Sequence, residues 1–312
     1  MNMDDRSPLG RLLEAALNTP FGLLFSDETY IRTVFRLRLG TAPNLTTPRT
    51  FNEKLQWLKL HDRNPLYTLL ADKYRVREYV ARRVGEERLV PLLGVWDKPE
   101  QIDFNALPDR FVLKCNHNSG KGVCVCRGKS SLDISAVRRT LRLALAENYY
   151  RKGRETPYRG IPKKILAEQY LSDEEGGNNL TDYKFLCFGG KVKCLFACTG
   201  RGTAGGLRVT FFDREWNPLP FERRYPAESP PPARPEKLSE MLAVAETLSE
   251  EIPFVRVDLY QACGKVYFGE MTFYPGNGFE AFRPESWDLV LGDYLTLPTP
   301  CNESDYCPNT RR

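Results

Sequence analysis

The stretch Phe254-Val-Arg-Val-Asp-Leu-Tyr-Gln-Ala-Cys-Gly-Lys-Val-Tyr-Phe-Gly-Glu-Met-Thr constrains the fold more than any other part of the chain. Two runs rich in β-branched and aromatic residues, Phe254–Tyr260 and Lys265–Phe273, flank a short turn at Gln261–Gly264, which predicts an antiparallel hairpin. In that hairpin Asp258 and Glu270 fall almost opposite each other, among Val, Leu and Phe. Two carboxylates brought together in such surroundings are costly unless protons or a cation neutralise them. Hard oxygen ligands suit Mg2+, which commonly binds one or two carboxylates together with substrate phosphates. An acid pair on the exposed face of an edge hairpin has the same spacing, so spacing alone leaves both readings open. Arg256, two residues before Asp258, leaves the strand on the same face.

A second signal is Lys114, at the end of the buried-strand run Phe111-Val-Leu-Lys-Cys, followed by Asn116-His-Asn-Ser-Gly-Lys-Gly and a second strand, Val123–Cys126. A lysine and free amides in a glycine loop are what a polyphosphate needs. The loop is not a P-loop, because Gly122 and Gly128-Lys129-Ser130 are separated by five residues where that motif requires four. Cys115, His117, Cys124 and Cys126 invite a zinc reading, with each pair on one strand face and the pairs facing across the hairpin. Their spacing is not the usual one for structural zinc, and cysteine is commonly a core residue. With two histidines in all, His61 and His117, no nucleophilic triad is supported, and no Asp-x-Asp triplet supports the commonest metal-dependent glycosyltransferases.

Elsewhere periodicity predicts helices over 9–25 and 28–39, another beginning at Thr50 with a capping box to Glu53, then Leu66–Arg83, Ile134–Tyr150 and Lys237–Glu250. Strands are expected at Lys164–Leu171, Tyr183–Phe188, Lys191–Cys198 and Leu207–Phe212, the middle two joined by a Gly189-Gly190 hairpin turn. The 28–39 helix carries Arg32, Arg36 and Arg38 beside an apolar stripe of Ile31, Val34, Phe35 and Leu39. A basic amphipathic helix is able to lie on an anionic membrane; the commoner arrangement packs the stripe on the protein body.

Composition excludes several classes. The 312 residues, 41% hydrophobic and 27% charged, are enough for a substantial core and rule out intrinsic disorder as the main state. The net charge of +5 is mild and dispersed, which argues against nucleic acid. No apolar run approaches the roughly 18 residues of a membrane helix. Met1–Arg6 is acidic where an export signal would be basic and then apolar, and nine cysteines are an odd number for a disulfide framework. A reducing cytoplasm is the expected location.

Taken in order, Thr50-Phe-Asn-Glu-Lys-Leu-Gln-Trp-Leu-Lys, Ala71-Asp-Lys-Tyr, Phe111-Val-Leu-Lys-Cys, Asp182-Tyr-Lys-Phe and Val255-Arg-Val-Asp with Phe268-Gly-Glu resemble the ATP-grasp fold. More narrowly, over roughly residues 28–297, they resemble the TupA-like family, whose name comes from teichuronopeptide biosynthesis. The resemblance implies an α+β chain with a nucleotide sandwiched between two α+β lobes. It divides the chain into an N-terminal helical segment (1–50), a subdomain leading into the grasp (51–110), a small lobe with the glycine loop (111–171), a large lobe with the metal site (172–298) and a flexible tail (299–312).

The resemblance further implies ATP and Mg2+ as cofactors. Lys73 and Lys114 would face the phosphates, with Ser119, Gly120 and Gly122 in the loop closing over them. Glu168 would lie near the adenine amino group, Gln169, Tyr170 and Leu171 at the ring edge, and Asp182 at the ribose. Lys184 would point at phosphate, Asp258 and Glu270 would ligate Mg2+, and Arg256 would steady the transferring group, with Arg201 and Arg208 gripping phosphate or substrate. Many relatives follow the glutamate with x-Asn as a further ligand; here Glu270-Met-Thr272 supplies a hydroxyl, so Thr272, water or Asn277 is left for a second Mg2+. The implied activity is ATP-dependent ligation of a carboxylate to an amine through an acyl phosphate, in polysaccharide, peptide-polymer or secondary-metabolite assembly. A phosphotransferase, a glycosyltransferase and a non-catalytic ATP-binding regulator are the alternatives. Partners would be ATP, an acid and an amine, with no integral membrane contact.

Overall fold

The computed structural model describes residues 7–172, 180–200, 203 and 205–300. Arg201, most of the acidic glycine-rich loop after Ser172, and the tail from residue 301 lie outside them. No helix among the described residues is long and apolar enough to cross a membrane.

Five helices come first. α1 (Pro8–Leu17) is capped by the Ser7 hydroxyl, and the single helix expected over 9–25 is replaced by α1 and a separate 3-10 turn, Pro20–Leu24. Pro20 has no N–H to give to the helix and breaks it. α2 (Asp27–Leu39) starts at Ser26 and stops at Gly40, whose φ of +79° suits a residue without a Cβ. Its stripe, Ile31, Val34 and Phe35, is buried with Leu17, Leu45 and Phe279, so this face packs on the body. α3 (Phe51–His61) carries both halves of the Thr50–Glu53 capping box.

The helix expected over Leu66–Arg83 is two, α4 (Leu66–Ala71) and α5 (Val76–Val84). Asp72 separates them. Its Oδ1 accepts from the Tyr74 amide at 2.8 Å, the Arg75 amide at 3.3 Å and Asn116 Nδ2 at 2.8 Å, offering the backbone a turn in place of helix.

A four-stranded antiparallel sheet follows, made of β1 (Leu92–Trp96), β2 (Phe111–Cys115), β3 (Cys124–Cys126) and β4 (Ile165–Gln169) in the order β1-β4-β2-β3. Helix α6 (Ile134–Ala146) packs Val137, Leu141 and Ala144 on Phe111, Leu113, Cys115 and Ile165. It ends sooner than the expected Tyr150, with a 3-10 turn at Tyr149–Arg151 taking over. Cys115 does not face Cys124 across the hairpin: Cys124 pairs with Leu113 and Cys126 with Phe111, while Cys115 pairs with Ile165 of β4. The loop departs directly after Cys115, so the zinc arrangement has no geometric basis.

The second sheet has the order β10-β9-β5-β6-β7. Its strands β5 (Asp182–Phe188), β6 (Lys191–Thr199) and β7 (Arg208–Phe212) run up and down, with Gly189 and Gly190 both at positive φ in the first turn. After the short β8 (Glu222–Arg223) and α7 (Leu238–Leu248), the chain returns as β9 (Phe254–Ala262) and β10 (Lys265–Thr272). α7 covers one face of this sheet with Leu238, Met241, Ala245 and Leu248. The other face borders a cleft. β11 (Phe282–Arg283) pairs with β8, and α8 (Ser286–Tyr294) docks on α3, where the Asp288 carboxylate accepts from the Asn52 amide and side chain, both at 2.9 Å.

Candidate active site

β9 and β10 form the expected hairpin, and Glu270 pairs directly with Asp258. The ladder is uneven: Phe268 pairs with Leu259, and Gly269 is an extra residue before the Glu270–Asp258 pair. Without this bulge Glu270 would fall opposite Val257 and share its face, because a slip of one residue exchanges the faces of a strand. With it, Arg256, Asp258, Glu270 and Thr272 all border the cleft. A Cβ at position 269 would lie 2.8 Å from Tyr260 Cε2 and 3.1 Å from the Asp258 carbonyl oxygen. Gly269→Val should therefore displace the Tyr260 ring or the bulge and cost about 1–3 kcal/mol, read by urea unfolding. Unchanged unfolding would mean that the bulge does not depend on glycine.

Arg256 joins the two acids. Its Nε lies 2.6 Å from Asp258 Oδ1, and its Nη2 lies 2.7 Å from Asp258 Oδ2, 3.2 Å from Glu270 Oε1 and 3.0 Å from Thr272 Oγ1. Lys184, paired with Asp258 in the β5–β9 register, donates to that carboxylate and stands 3.7 Å from Asp182. Lys73 reaches Glu270 at 3.1 Å. Burial alone would raise Glu270, but Lys73, Arg256 and Lys184 outweigh it and hold the carboxyl well below the usual range. Burial likewise opposes the charge on Lys184, and Asp258 with Asp182 overcomes it, so the ammonium is held more firmly.

These donors fit Mg2+. Asp258, Glu270 and the Thr272 hydroxyl present oxygen donors on one face of the hairpin, the kind of set that Mg2+ takes, and the surrounding cations favour the charged form of Glu270. Among the described residues no group of three or more His, Cys, Asp and Glu could hold a metal. A Mg2+ held by two carboxylates completes its shell with water and phosphate.

The small sheet supplies the facing wall. Lys114 of β2 pairs with Glu168 of β4 at 2.6 Å, and Glu168 also meets Arg77 of α5 at 3.5 Å. Glu168, expected at an adenine amino group, is thus engaged by two cations. Lys73 donates to the Asn118 carbonyl at 2.7 Å, which ties the glycine loop to Glu270. Ser119, Gly120, Gln169, Tyr170, Leu171 and Asp182 all line the cleft. Gly122 does not. A Cβ there would lie 2.5 Å from Ala144 Cβ and 3.0 Å from Cys115 Sγ, so this glycine serves the packing of the loop on α6. Leu207, Val209 and Phe211 line the cleft, and Arg208, between them in an alternating strand, is not part of the lining.

The cleft measures about 1070 Å³, above the roughly 300–1,000 Å³ of a typical single-ligand site. Glu155, Arg223, Arg224 and Glu280 also line it, and none is conspicuous in the sequence. Arg223 is buried, with Nε 3.1 Å from Glu280 and Nη2 donating to the Pro275 carbonyl at 2.7 Å. The adjoining loop Pro275–Gly278 places Gly276, Asn277 and Gly278 at φ of +62°, +57° and +60°. Helix α3 holds it. Gln56 Nε2 donates to the Asn277 and Gly278 carbonyls at 3.0 and 2.7 Å, and Lys59 Nζ to Asn277 at 2.7 Å. Asn52, Gln56 and Lys59 form a buried polar stripe at helical spacing. That stripe was a readable signal: polar groups on a packed face need partners.

Solved structures similar to the chain include D-alanine–D-alanine ligase from Bacillus anthracis complexed with ATP, at 16% identity and a TM-score of 0.40 over 66% of this chain and 55% of that one. The Helicobacter pylori D-alanine–D-alanine ligase gives 14% and 0.40 over 74% and 62%, and the D-cycloserine synthetase DcsG gives 15% and 0.42 over 74% and 70%. The chain thus spans little more than half the length of the first of these ligases. No curated protein sequence matches it. The sequence profile of TupA-like ATP-grasp proteins matches residues 53–296, most of the chain, and the protein belongs to the TupA-like ATP-grasp family.

Proposed function

We propose that the protein is an ATP-dependent carboxylate–amine ligase. The observation that carries this reading is the one sheet face on which Arg256, Asp258, Glu270 and Lys184 meet, with Lys73 reaching in from the turn before α5, in a cleft shared with Lys114 and the glycine loop. Family membership supports the same reading. An oxygen of the substrate carboxylate attacks the γ-phosphorus of ATP, the bond to the β-phosphate oxygen breaks, and ADP and an acyl phosphate result. The amine nitrogen then attacks the acyl carbon, and phosphate leaves with the electron pair of the broken C–O bond. Lys73, Lys114 and Lys184 bind and orient the phosphates, so the gain comes from positioning and charge neutralisation. Arg256, fixed by Asp258 on one side and Thr272 on the other, meets the oxyanion charge that develops at each transfer. Asp258 and Glu270 would hold Mg2+, which supplies further neutralisation of the phosphate charge.

The test is the thermal melting shift with ATP, ADP and GTP, with and without Mg2+. A ligand that binds the folded state alone stabilises it by mass action, about 2.7 kcal/mol at a hundredfold excess over its Kd. The expected outcome is a Mg2+-dependent shift with adenine nucleotides. It would be followed by a screen of acids for ADP release with hydroxylamine as the trapping nucleophile. No shift with any nucleotide would overturn the reading, and a phosphate ester as product in place of an amide would make the protein a phosphotransferase.

A further inference from the structure

A buried carboxylate in the cleft is left over by the scheme above. The N-terminal helices hold the turn that carries it: Tyr150 donates to the Asp27 carboxylate at 2.6 Å, and the Gly153 amide donates to the Tyr30 hydroxyl at 2.9 Å. Arg154, 1% exposed, lies with its guanidinium 4.2 Å over the Tyr30 ring and its Nε 3.4 Å from Asp27. Its φ of +55° is a left-handed conformation that a non-glycine residue keeps only when its surroundings over-determine it. With Arg154 turned into the protein, Glu155 lines the cleft. It is 2% exposed, and among the described residues the charges that act on its carboxylate, Lys59 and Arg256, do so without a hydrogen bond to it. The nearby ammonium of Lys59 is bonded elsewhere, to Gln56 Oε1 at 2.9 Å and the Asn277 carbonyl.

We propose that Glu155 is the receptor for the nucleophilic amine, binding it as an ammonium ion and taking its proton before the nitrogen attacks. The proposal rests on the ligase reading. A buried carboxylate without a hydrogen-bonded cation selects one, since leaving it unpaired is costly. Tyr149, Tyr158 and Tyr274 line the cleft close enough to sense its charge, and aromatic faces add to the binding of an ammonium group. Lys59, Arg256 and Glu270 are the other charged groups that act on it. Burial pushes the Glu155 carboxyl up to about 8, with Lys59 and Arg256 opposing, which brings it near the range of the proton it would take. The step balances. Glu155, neutral in the empty cleft, releases its proton to solvent as the ammonium ion binds. The ammonium then gives one proton to Glu155, the neutral nitrogen bonds to the acyl carbon, and phosphate departs carrying the second nitrogen proton, which leaves Glu155 neutral for the next cycle.

Glu155→Gln is the test, read with two nucleophiles on the acid found by the screen. Hydroxylamine is largely uncharged at neutral pH and needs no proton acceptor; the second nucleophile is a panel of α-amino acids. The wild type should form hydroxamate and, with an amino acid, amide. Glu155→Gln should keep the Mg·ATP melting shift and hydroxamate formation near wild type and lose about 100-fold in amide formation. Glu155→Asp, which keeps a carboxylate, should recover part of that loss. Burial already favours the neutral form, so glutamine at this position should fold. Equal loss with both nucleophiles, or loss with neither, would overturn the role of Glu155 while leaving the ligase intact. Absence of hydroxamate in the wild type with every acid would overturn the ligase reading, and this proposal with it.

Discussion

Asp258→Asn combined with Glu270→Gln should abolish the Mg2+-dependent part of nucleotide stabilisation and lower turnover by more than about 10³-fold, the upper end of what one preorganised charge contact is worth. The same double change should lower the melting temperature of the unliganded protein. Its cause is electrostatic. Arg256, Lys184 and Lys73 surround these two acids; Arg256 and Lys73 lose their countercharges, and Lys184 is left with Asp182 alone. Removing one partner of a buried ion pair typically costs about 3–5 kcal/mol, because the other charge remains unpaired in a poorly solvated place. Both amides keep hydrogen-bond acceptors for Arg256, so secondary structure by circular dichroism should be retained at low temperature. A double variant that still melted higher with Mg·ATP than with ATP alone would place the metal elsewhere.

Arg256→Lys should separate binding from transfer. The guanidinium meets Asp258 through two nitrogens and reaches Glu270 and Thr272 through one of them. A lysine is a point charge on a flexible stem and does not reproduce that fork. It does preserve a positive charge against the acids, so the Mg·ATP melting shift should change little. Ligation measured with hydroxylamine should fall about 10²–10³-fold, as when one oxyanion donor is removed from an acyl-transfer site. Loss of the melting shift together with turnover would mean that Arg256 chiefly holds the two carboxylates in place.

Local elements were legible wherever a residue's partner lies within a few positions. The Thr50–Glu53 capping box, the Gly189-Gly190 turn and the hairpin around Gln261–Gly264 are all specified by short-range chemistry. Breaks in apparent helices were less legible. Pro20 interrupts the first by itself, but Asp72 interrupts another helix with the help of Asn116, far along the chain. The Glu270–Asp258 pairing was readable to within one residue. The bulge that completes it depends on how Tyr260 lies over Gly269, a contact without a sequence pattern of its own.

The acids, the lysines and Arg256 are chemistry written in residue type and strand alternation, and their order along the chain is enough to recognise the family. Which charge meets which is a different matter. Lys73, at the start of a turn, reaches Glu270; Lys114 is matched to Glu168; Gly122 turns to α6 and away from the cleft. Glu155 has no motif around it and becomes notable only once Arg154 is folded against Tyr30 and Asp27. The physical reason is range. Periodicity, caps and turns act over one or two turns of chain, whereas burial and ion pairing depend on segments far apart in the chain being brought within a few ångströms.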